Sequence, residues 1–484
     1  MLGSGLAVYA VEAKRLTAEA DPPPYVRTAT DDEQATWLDT EMRRNVRFDH
    51  ESQKWYMWSK VLWAEDRNEQ VQRRVMDLAT ERLTATATDP GLPETTRTKT
   101  MAVYRKLLNM RSAEGALEAL RTRVGYYGSD WDRNTYLLGC VNTIVDLRTG
   151  LAIPSTVDQL VTKSTRLRFI PMRDDEKDED RAPLTMNFLR EITSHDEAQV
   201  EFLLNFFAYS LFGVSPERKF LILTGIGSNG KSVLANVVGH VFGEYNATVD
   251  GSLYMKRRGG LADAGAPRPE VLALQGARIA FMAEPQGGAF NEEMLKAHTG
   301  GDEIAARTLY SKLYTRWRAT HSIVFMTNEP PALTDIGPSM QDRVLLADFR
   351  EHYEGAAMDT GLTEKLYGED EGLLAILIRR AALWTGHFVI PQRVRESSAA
   401  YIEENDPVGR ALEAAFVLDK AARTGATAMY GAYLEFEDDE PINQTQFGLA
   451  LTRHGLRKKK TMHGYVYMGI RPKNAMELAD AEAE

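Results

Sequence analysis

From about Gln34 onward, apolar residues return at the three-to-four spacing of a helix. The same spacing reappears over Asn68–Thr84, Lys99–Arg123, Leu184–Leu211 and Gly372–Thr385. Between the first two of these stretches lies an aromatic cluster, Trp55, Tyr56, Trp58 and Trp63, which suits a short hairpin better than a helix. Packing inside that hairpin accounts for the rings better than stacking on unpaired bases. Leu137–Gly150 reads as strand and turn, its apolar run broken by Asn142, Asp146 and Gly150. From about residue 216 to 350, short β-type runs (Phe220–Thr224, Arg278–Ala283, Ile323–Thr327 and Val344–Phe349) alternate with helical ones. That alternation predicts an α/β domain around a largely parallel sheet. Beyond Pro407 the order is helix, helix, basic turn and a β-type run, Tyr465–Ile470.

A chain of 484 residues exceeds one ordinary core and predicts roughly two to four domains. Pro22, Pro23 and Pro24, followed by Asp31, Asp32 and Glu33, mark residues 1–34 as a loose arm. Arg173–Arg181 is charged without an apolar residue and predicts an acidic linker over 171–183. The remaining divisions are a mostly helical domain over 35–170, an α/β core over 184–350, a helical lid or connector over 351–405, a C-terminal domain over 406–475 and an acidic tail over 476–484.

At 43% hydrophobic and 26% charged residues, the composition is ordinary for a globular chain. No run approaches the roughly 20 apolar residues of a membrane span, and Met1–Ala10 lacks the basic flank and cleavage signature of a signal peptide. A single cysteine, Cys140, excludes a disulfide framework and a cysteine-rich zinc site and predicts a reducing, cytoplasmic setting. Charge changes the picture more. Lys plus Arg is 58 against 69 for Asp plus Glu, a net −11, which argues against wholesale coating of nucleic acid. The basic residues are nevertheless concentrated. Ile304–Asn328 holds no acid but has Arg307, Lys312, Arg316 and Arg318; Pro441–Met476 holds none but has Arg453, Arg457, Lys458, Lys459, Lys460, Arg471 and Lys473. Two such islands in an acidic chain point to a polyanion partner, although either alone could be a solvated face.

The segment Gly225-Ile226-Gly227-Ser228-Asn229-Gly230-Lys231-Ser232 fits the phosphate-loop pattern G-x-x-x-x-G-K-[ST], with a β-type run before it and a helical run after. Glycines let backbone N–H groups close around phosphate oxygens, and the following helix start adds a favourable dipole. Lys231 is then the cation for the β- and γ-phosphates of ATP, and Ser232 a ligand for Mg²⁺. Such a loop needs an acid on a nearby strand to hold the metal's waters and polarise the attacking one. Glu284, at the tip of Arg278–Ala283, is the candidate. Taken alone, a Glu after a strand is usually a surface residue. Asn328, at the tip of Ile323–Thr327, can orient the hydrolytic water or simply open a turn before Pro330 and Pro331. Arg343, ahead of Val344–Phe349, has the place of an arginine finger or of a surface ion pair.

In order and together, these residues resemble the phage/plasmid primase–helicase family, which belongs with the superfamily 3 helicases. The most specific match is Lys296-Ala297-His298-Thr299-Gly300-Gly301-Asp302-Glu303-Ile304-Ala305-Ala306-Arg307, similar to that family's K-x-x-T-G-G-D-x-I-x-A-R signature. Upstream, Leu138–Gly150 resembles the L-N-x-x-N-G-x-x-D-L-x-T-G stretch of its helicase-associated N-terminal domain. Downstream, Tyr430, Tyr433, Phe447, Leu451 and Gly455 look like its C-terminal winged helix. The resemblance implies an AAA-like P-loop core, a homo-hexameric ring around single-stranded DNA, and ATP bound between subunits. It also implies a hairpin before the Asn328 strand that grips DNA through Arg307, Lys312 and Arg316. Arg457, Lys458, Lys459 and Lys460 would add contacts from the C-terminal domain. A separate primase and other replisome proteins become expected partners, in a host bacterial cytoplasm if the gene is carried by a phage or plasmid, with no membrane.

Departures are visible. Asp342 stands beside Arg343 where the family often has a second arginine, Ala283 replaces a second carboxylate before Glu284, and Gly139-Cys140 replaces the usual opening. The sequence ahead of Leu137 is too short for a full primase domain, which predicts no primer synthesis by this chain. Other classes consistent with a phosphate loop are an ATP-switched replication initiator, a non-hydrolysing nucleic-acid scaffold and a small-molecule kinase.

Overall fold

The computed structural model describes residues 30–256, 269–283, 288–307, 314–334, 336–354, 359–437, 441–462, 464–474 and 477. The chain divides into two compact units, Met1–Asp146 with Leu151–Ser164, and Leu147–Gly150 with Thr165–Glu484.

In the first unit a helix spans Asp31–Met42. The Thr30 side chain accepts the Glu33 N–H, and Asp31, Asp32 and Glu33 fill the first turn, where carboxylates meet the positive end of the helix dipole. These acids, expected in a loose arm, therefore start a helix; the rest of that arm, 1–29, lies outside the described residues. Strands β1 (Val46–Asp49), β2 (Lys54–Trp58) and β3 (Trp63–Glu65) follow, then helices Gln70–Thr88, Glu94–Leu107 and Met110–Arg121, and β4 (Gly125–Tyr126). The sheet order is β3-β2-β1-β4. The expected aromatic hairpin is present: Trp58 faces Trp63 across β2 and β3, and Trp63 is fully buried with its indole N–H on the Val157 carbonyl at 3.0 Å. Three short antiparallel strands, β5 (Leu137–Gly139), β6 (Ile144–Asp146) and β7 (Leu151–Ile153), form a second sheet.

The second unit is α/β. Its sheet contains β8 (Phe220–Thr224), β9 (Asn246–Asp250) and β10 (Ile279–Ala283). An antiparallel hairpin, β11 (Glu303–Ala306) and β12 (Thr315–Arg318), precedes the last two strands, β13 (Ser322–Met326) and β14 (Val344–Asp348). The five sheet strands are parallel in the order β14-β8-β13-β10-β9. Phe220 to Leu223 are wholly buried, as befits a central strand covered on both faces. Parallel pairing brings every carboxyl end to one edge, where α/β sheets bind ligands.

The charged run expected as a linker is instead folded into this unit. Asp178 is buried and pairs with Arg379 and Arg380 of helix Asp370–Ala382, so its charge is matched rather than solvated. The unit ends with helix Pro407–Ala415, β15 (Phe416–Gly425), helices Ala426–Phe436 and Gln444–Arg453, β16 (Lys458–Thr461) and β17 (Gly464–Pro472). The order β15-β17-β16 encloses a core of Val408, Phe416, Met429, Tyr433, Phe447, Leu451 and Ile470. Among the described residues no helix is long and apolar enough to cross a membrane.

Candidate nucleotide-binding site

The glycines of Gly225–Ser232 are required by space as well as by dihedral angle. At Gly225 (φ 147°) a Cβ would lie 2.2 Å from the Phe349 carbonyl oxygen. At Gly230 (φ 87°) it would lie 2.4 Å from Ile192 Cγ2. The loop thus turns tightly between β8 and helix Lys231–Phe242. That helix begins at Lys231, so its first-turn N–H groups have no acceptor within the helix.

Lys231 is the centre of the arrangement. Its ammonium donates to the Gly225 carbonyl at 2.7 Å, to Asn229 Oδ1 at 3.0 Å and to Asn328 Oδ1 at 3.2 Å. The side chain is buried, and burial lowers its pKa to about 8. All three acceptors are neutral. Among the described residues no counter-charge meets it; a buried cation in that state is costly, and a phosphate group laid in the loop would supply the charge. Ser232 stands exposed one residue into the helix. The donor set, the backbone turn and the buried cation fit the phosphates of a nucleotide.

Asn328 reaches the loop because β13 pairs with β8, Met326 opposite Leu223. The Thr327 N–H bonds the Leu223 carbonyl at 3.1 Å, and the Thr224 hydroxyl bonds the Asn328 carbonyl at 3.1 Å. The strand leading to Glu284 ends at the same edge, with Ala283 opposite Met326; Glu284 itself lies outside the described residues.

Sequence reasoning missed the segment that follows β14. The Phe349 carbonyl accepts from Asn229 Nδ2 at 3.4 Å, and the Tyr353 N–H donates to the Ser228 carbonyl at 2.9 Å. His352 Nδ1 is 3.0 Å from the Gly227 carbonyl, and its Nε2 is 2.7 Å from Glu354. The Gly227 carbonyl, and then Glu354, raise the His352 pKa above its ordinary value. This strap starts from a fixed point. Burial opposes charge on Asp348, but hydrogen bonds from Arg393 and Arg350 outweigh it and lower its pKa. A strand-end Asp and one His are too common for the sequence to have flagged them.

Arg343 lies elsewhere. Val344 pairs with Phe220 and Asp348 with Thr224, so Arg343 sits at the far edge of the sheet, roughly 16 Å of strand from its own loop. It is buried, with Nε 3.2 Å from Thr299 Oγ1 and Nη1 2.7 Å from Ser339 Oγ. Burial first, and Arg218 next, lower its pKa.

The basic residues fall on two separate elements. Arg316 is exposed on the β11–β12 hairpin, paired with Glu303 at 2.8 Å, and the Arg307 guanidinium lies 5.9 Å from the Tyr314 ring centre. Lys312 lies outside the described residues. Arg457 and Lys458, Lys459 and Lys460 are exposed at and along β16. Among the described residues no group of three or more His, Cys, Asp or Glu could hold a metal ion.

The glycine-bounded loop and the strand-tip Asn on its lysine have a geometry that fits a nucleotide, and comparison with known proteins is more specific. Residues 35–194 match the family model described as "D5 N terminal like". The chain is 28% identical over 295 residues to "Putative helicase L207/L206" of Acanthamoeba polyphaga mimivirus, covering 57% of this chain and 30% of that protein. It is 26% identical over 230 residues to "Putative helicase 022R" of Frog virus 3 (isolate Goorha), covering 44% and 23%. These matches span less than a third of either relative's length. The fold is similar to the apo structure of the NrS-1 C terminal region in its A form, with a TM-score of 0.50 and 11% identity over 92% of this chain and 100% of that one. At that identity the likeness is one of fold alone. These matches support the resemblance to the phage/plasmid primase–helicase family.

Proposed function

We propose that the chain is an ATP-dependent DNA helicase of a phage or plasmid replication system, working as a ring on single-stranded DNA. The observation that carries this reading is the buried Lys231 ammonium, held by neutral acceptors among the described residues at the carboxyl edge of a parallel sheet. The strand order β14-β8-β13-β10-β9 favours an AAA-like core, because the loop strand is flanked by the Asn328 strand on one side and by the strand after Arg343 on the other. The order helix, strand, helix, helix, strand, strand from Pro407 to Pro472 favours a winged helix.

In this reading the first-turn N–H groups and Lys231 bind the β- and γ-phosphates of ATP. Ser232 and Glu284 would hold Mg²⁺, which would supply charge neutralisation at those phosphates. Glu284 takes the proton of the attacking water, and Asn328 orients that water while fixing Lys231. Arg343 serves the loop of the neighbouring subunit in a homo-hexamer. Arg307, Lys312 and Arg316 meet DNA in the ring, and Arg457 to Lys460 meet it from the winged helix. The greater length of the helicase-named relatives favours the chain being, or working beside, the helicase part of a primase–helicase with other replisome proteins.

Steady-state ATP turnover with and without single-stranded DNA tests this reading. A motor is strongly stimulated and loses turnover in Lys231→Ala and in Glu284→Gln, the latter still binding ATP. Slow turnover indifferent to DNA would indicate a switch, and none at all a scaffold. Turnover that answers only to a small acceptor would indicate a kinase.

A further inference from the structure

The most specific stretch of the sequence, Lys296–Arg307, joins two features that the proposed function treats separately. Helix Glu292–Gly300 is closed by Gly301 at φ 78°, a left-handed cap whose N–H bonds the Ala297 carbonyl. Only Asp302 separates that cap from β11, so little slack exists between the helix end and the hairpin. Packing ties them further: Met294 of the helix, Ile304 and Ala306 of β11, and Trp317 of β12 share one apolar cluster. Helix end and hairpin base form one piece.

Thr299 lies in the last turn of that helix and is 1% exposed. Its hydroxyl donates to the Leu295 carbonyl at 2.6 Å, which aims the oxygen to accept Arg343 Nε at 3.2 Å. The other end of the guanidinium is held by Ser339, which is on a different short helix, Pro338–Gln341. Arg343 is therefore held between the end of the hairpin's helix and a second short helix.

We infer that Thr299 is a positioning residue that couples the hairpin to Arg343, so that a polyanion seated on the hairpin shifts the guanidinium. This rests on the proposed roles of the hairpin and of Arg343. A hydroxyl within hydrogen-bond reach of Nε transmits small displacements of the helix end, while Ser339 holds the other end of the guanidinium. The inference accounts for Thr299, Gly301 and the hairpin strand occurring as one run, which neither phosphate chemistry nor DNA charge explains.

The test uses the full chain and ATP turnover with and without single-stranded DNA. Thr299→Val should bind DNA as the parent does, yet its stimulation ratio should fall toward one. Thr299→Ser, which keeps the hydroxyl, should restore the ratio. Ser339→Ala should lower turnover with and without DNA in the same proportion, because its anchor is on the second short helix. A normal ratio in Thr299→Val, or an equal loss of ratio in Ser339→Ala, would overturn the coupling. Hydrogen–deuterium exchange on the parent chain needs no variant: DNA should alter exchange at 338–343 as well as at the hairpin, and a change confined to the hairpin sinks the inference. A parent chain with no DNA stimulation fails the proposed function instead, which keeps the two failures apart.

Discussion

Lys231 Nζ and Asn328 Oδ1 are 3.2 Å apart, joining the start of the loop helix to the tip of the neighbouring strand through a neutral contact. In many ion-pair arrangements a buried lysine meets a carboxylate; here, among the described residues, it meets amide and carbonyl oxygens. Among the described residues no carboxylate meets this ammonium, so the stability of the site and its ligand preference are linked.

The first prediction follows from that linkage. Burial holds the Lys231 pKa at about 8 against its ordinary 10.5. Below pH 8 the lysine is charged whether folded or unfolded, and folding bears the whole desolvation cost. Between pH 8 and 10.5 the unfolded chain binds the proton that the folded chain has released, so this group makes stability rise with pH. Urea midpoints at pH 8 and 10 should show that rise in the parent chain and lack it in Lys231→Met. Asn328→Asp should abolish it too, by giving the ammonium a carboxylate partner, and should weaken nucleotide binding because that carboxylate competes with phosphate. Tighter ATP binding by Asn328→Asp would contradict this account.

A second prediction concerns acid. Tyr254 OH lies 2.7 Å from His298 Nδ1 and 3.4 Å from His321 Nε2, inside the core beneath the hairpin. Burial first, and His298 next, depress the His321 pKa from 6.5 to about 3. Its stabilising contribution is whole above pH 6.5 and is lost as pH falls toward 3, at up to about 1.4 kcal/mol per unit. His321→Leu should flatten the decline in denaturant midpoint between pH 7 and 5. An unchanged decline would assign the acid sensitivity to other groups.

How much of this was legible in the sequence depends on the length scale of the signal. The phosphate loop, its strand and its helix are local, and Phe220–Thr224 and Lys231–Phe242 lie where periodicity put them. The hairpin at Trp55–Trp63 was legible for the same reason. Asp178 was not: a charged run looks solvated unless its partners, Arg379 and Arg380, some 200 residues away, are known. By charge alone Asp31–Glu33 reads as a loose arm; the cap from Thr30 is what makes it a first turn. The strap at His352 and Tyr353 acts largely through backbone groups, which carry no residue signature. The burial of Arg343 against Thr299 is a tertiary fact that spacing alone cannot give.

The third prediction addresses the C-terminal lysines. Lys458, Lys459 and Lys460 are exposed along β16, and Lys458 Nζ lies 5.2 Å from the Tyr465 ring centre. Phosphate contacts release counterions, so affinity falls with salt by about 0.7 in the log–log slope per contact on single strands. Replacing all three by alanine in the full chain should reduce that slope by about 2 and weaken binding with little regard to sequence. An unaltered slope would make these lysines a solvated face. Fluorescence anisotropy on oligonucleotides across a salt series measures both quantities.

The last prediction concerns Arg343. The register of β14 on β8 places it at the opposite end of the strand from the Gly225–Ser232 loop, so it does not serve the phosphates of its own chain. If it stabilises charge on the transferred phosphoryl group, it does so across a subunit boundary, and arginine fingers are worth roughly 10³–10⁵ in rate. Arg343→Ala should therefore bind ATP and hydrolyse it poorly. Lys231→Ala should fail to bind. Mixed together, the two dead proteins should regain some turnover, because a boundary can then combine an intact Lys231 from one subunit with an intact Arg343 from the next. The buried position sets a further condition: the guanidinium must leave Thr299 and Ser339 to reach a neighbour. Arg343→Lys, which retains charge but lacks the planar fork that meets both hydroxyls, should not substitute. Native mass spectrometry would establish that mixed assemblies form. If they form and turnover stays absent, Arg343 is a structural clamp between the hairpin helix and β14, and the finger must be sought among other residues at that edge, with the exposed Arg218 first.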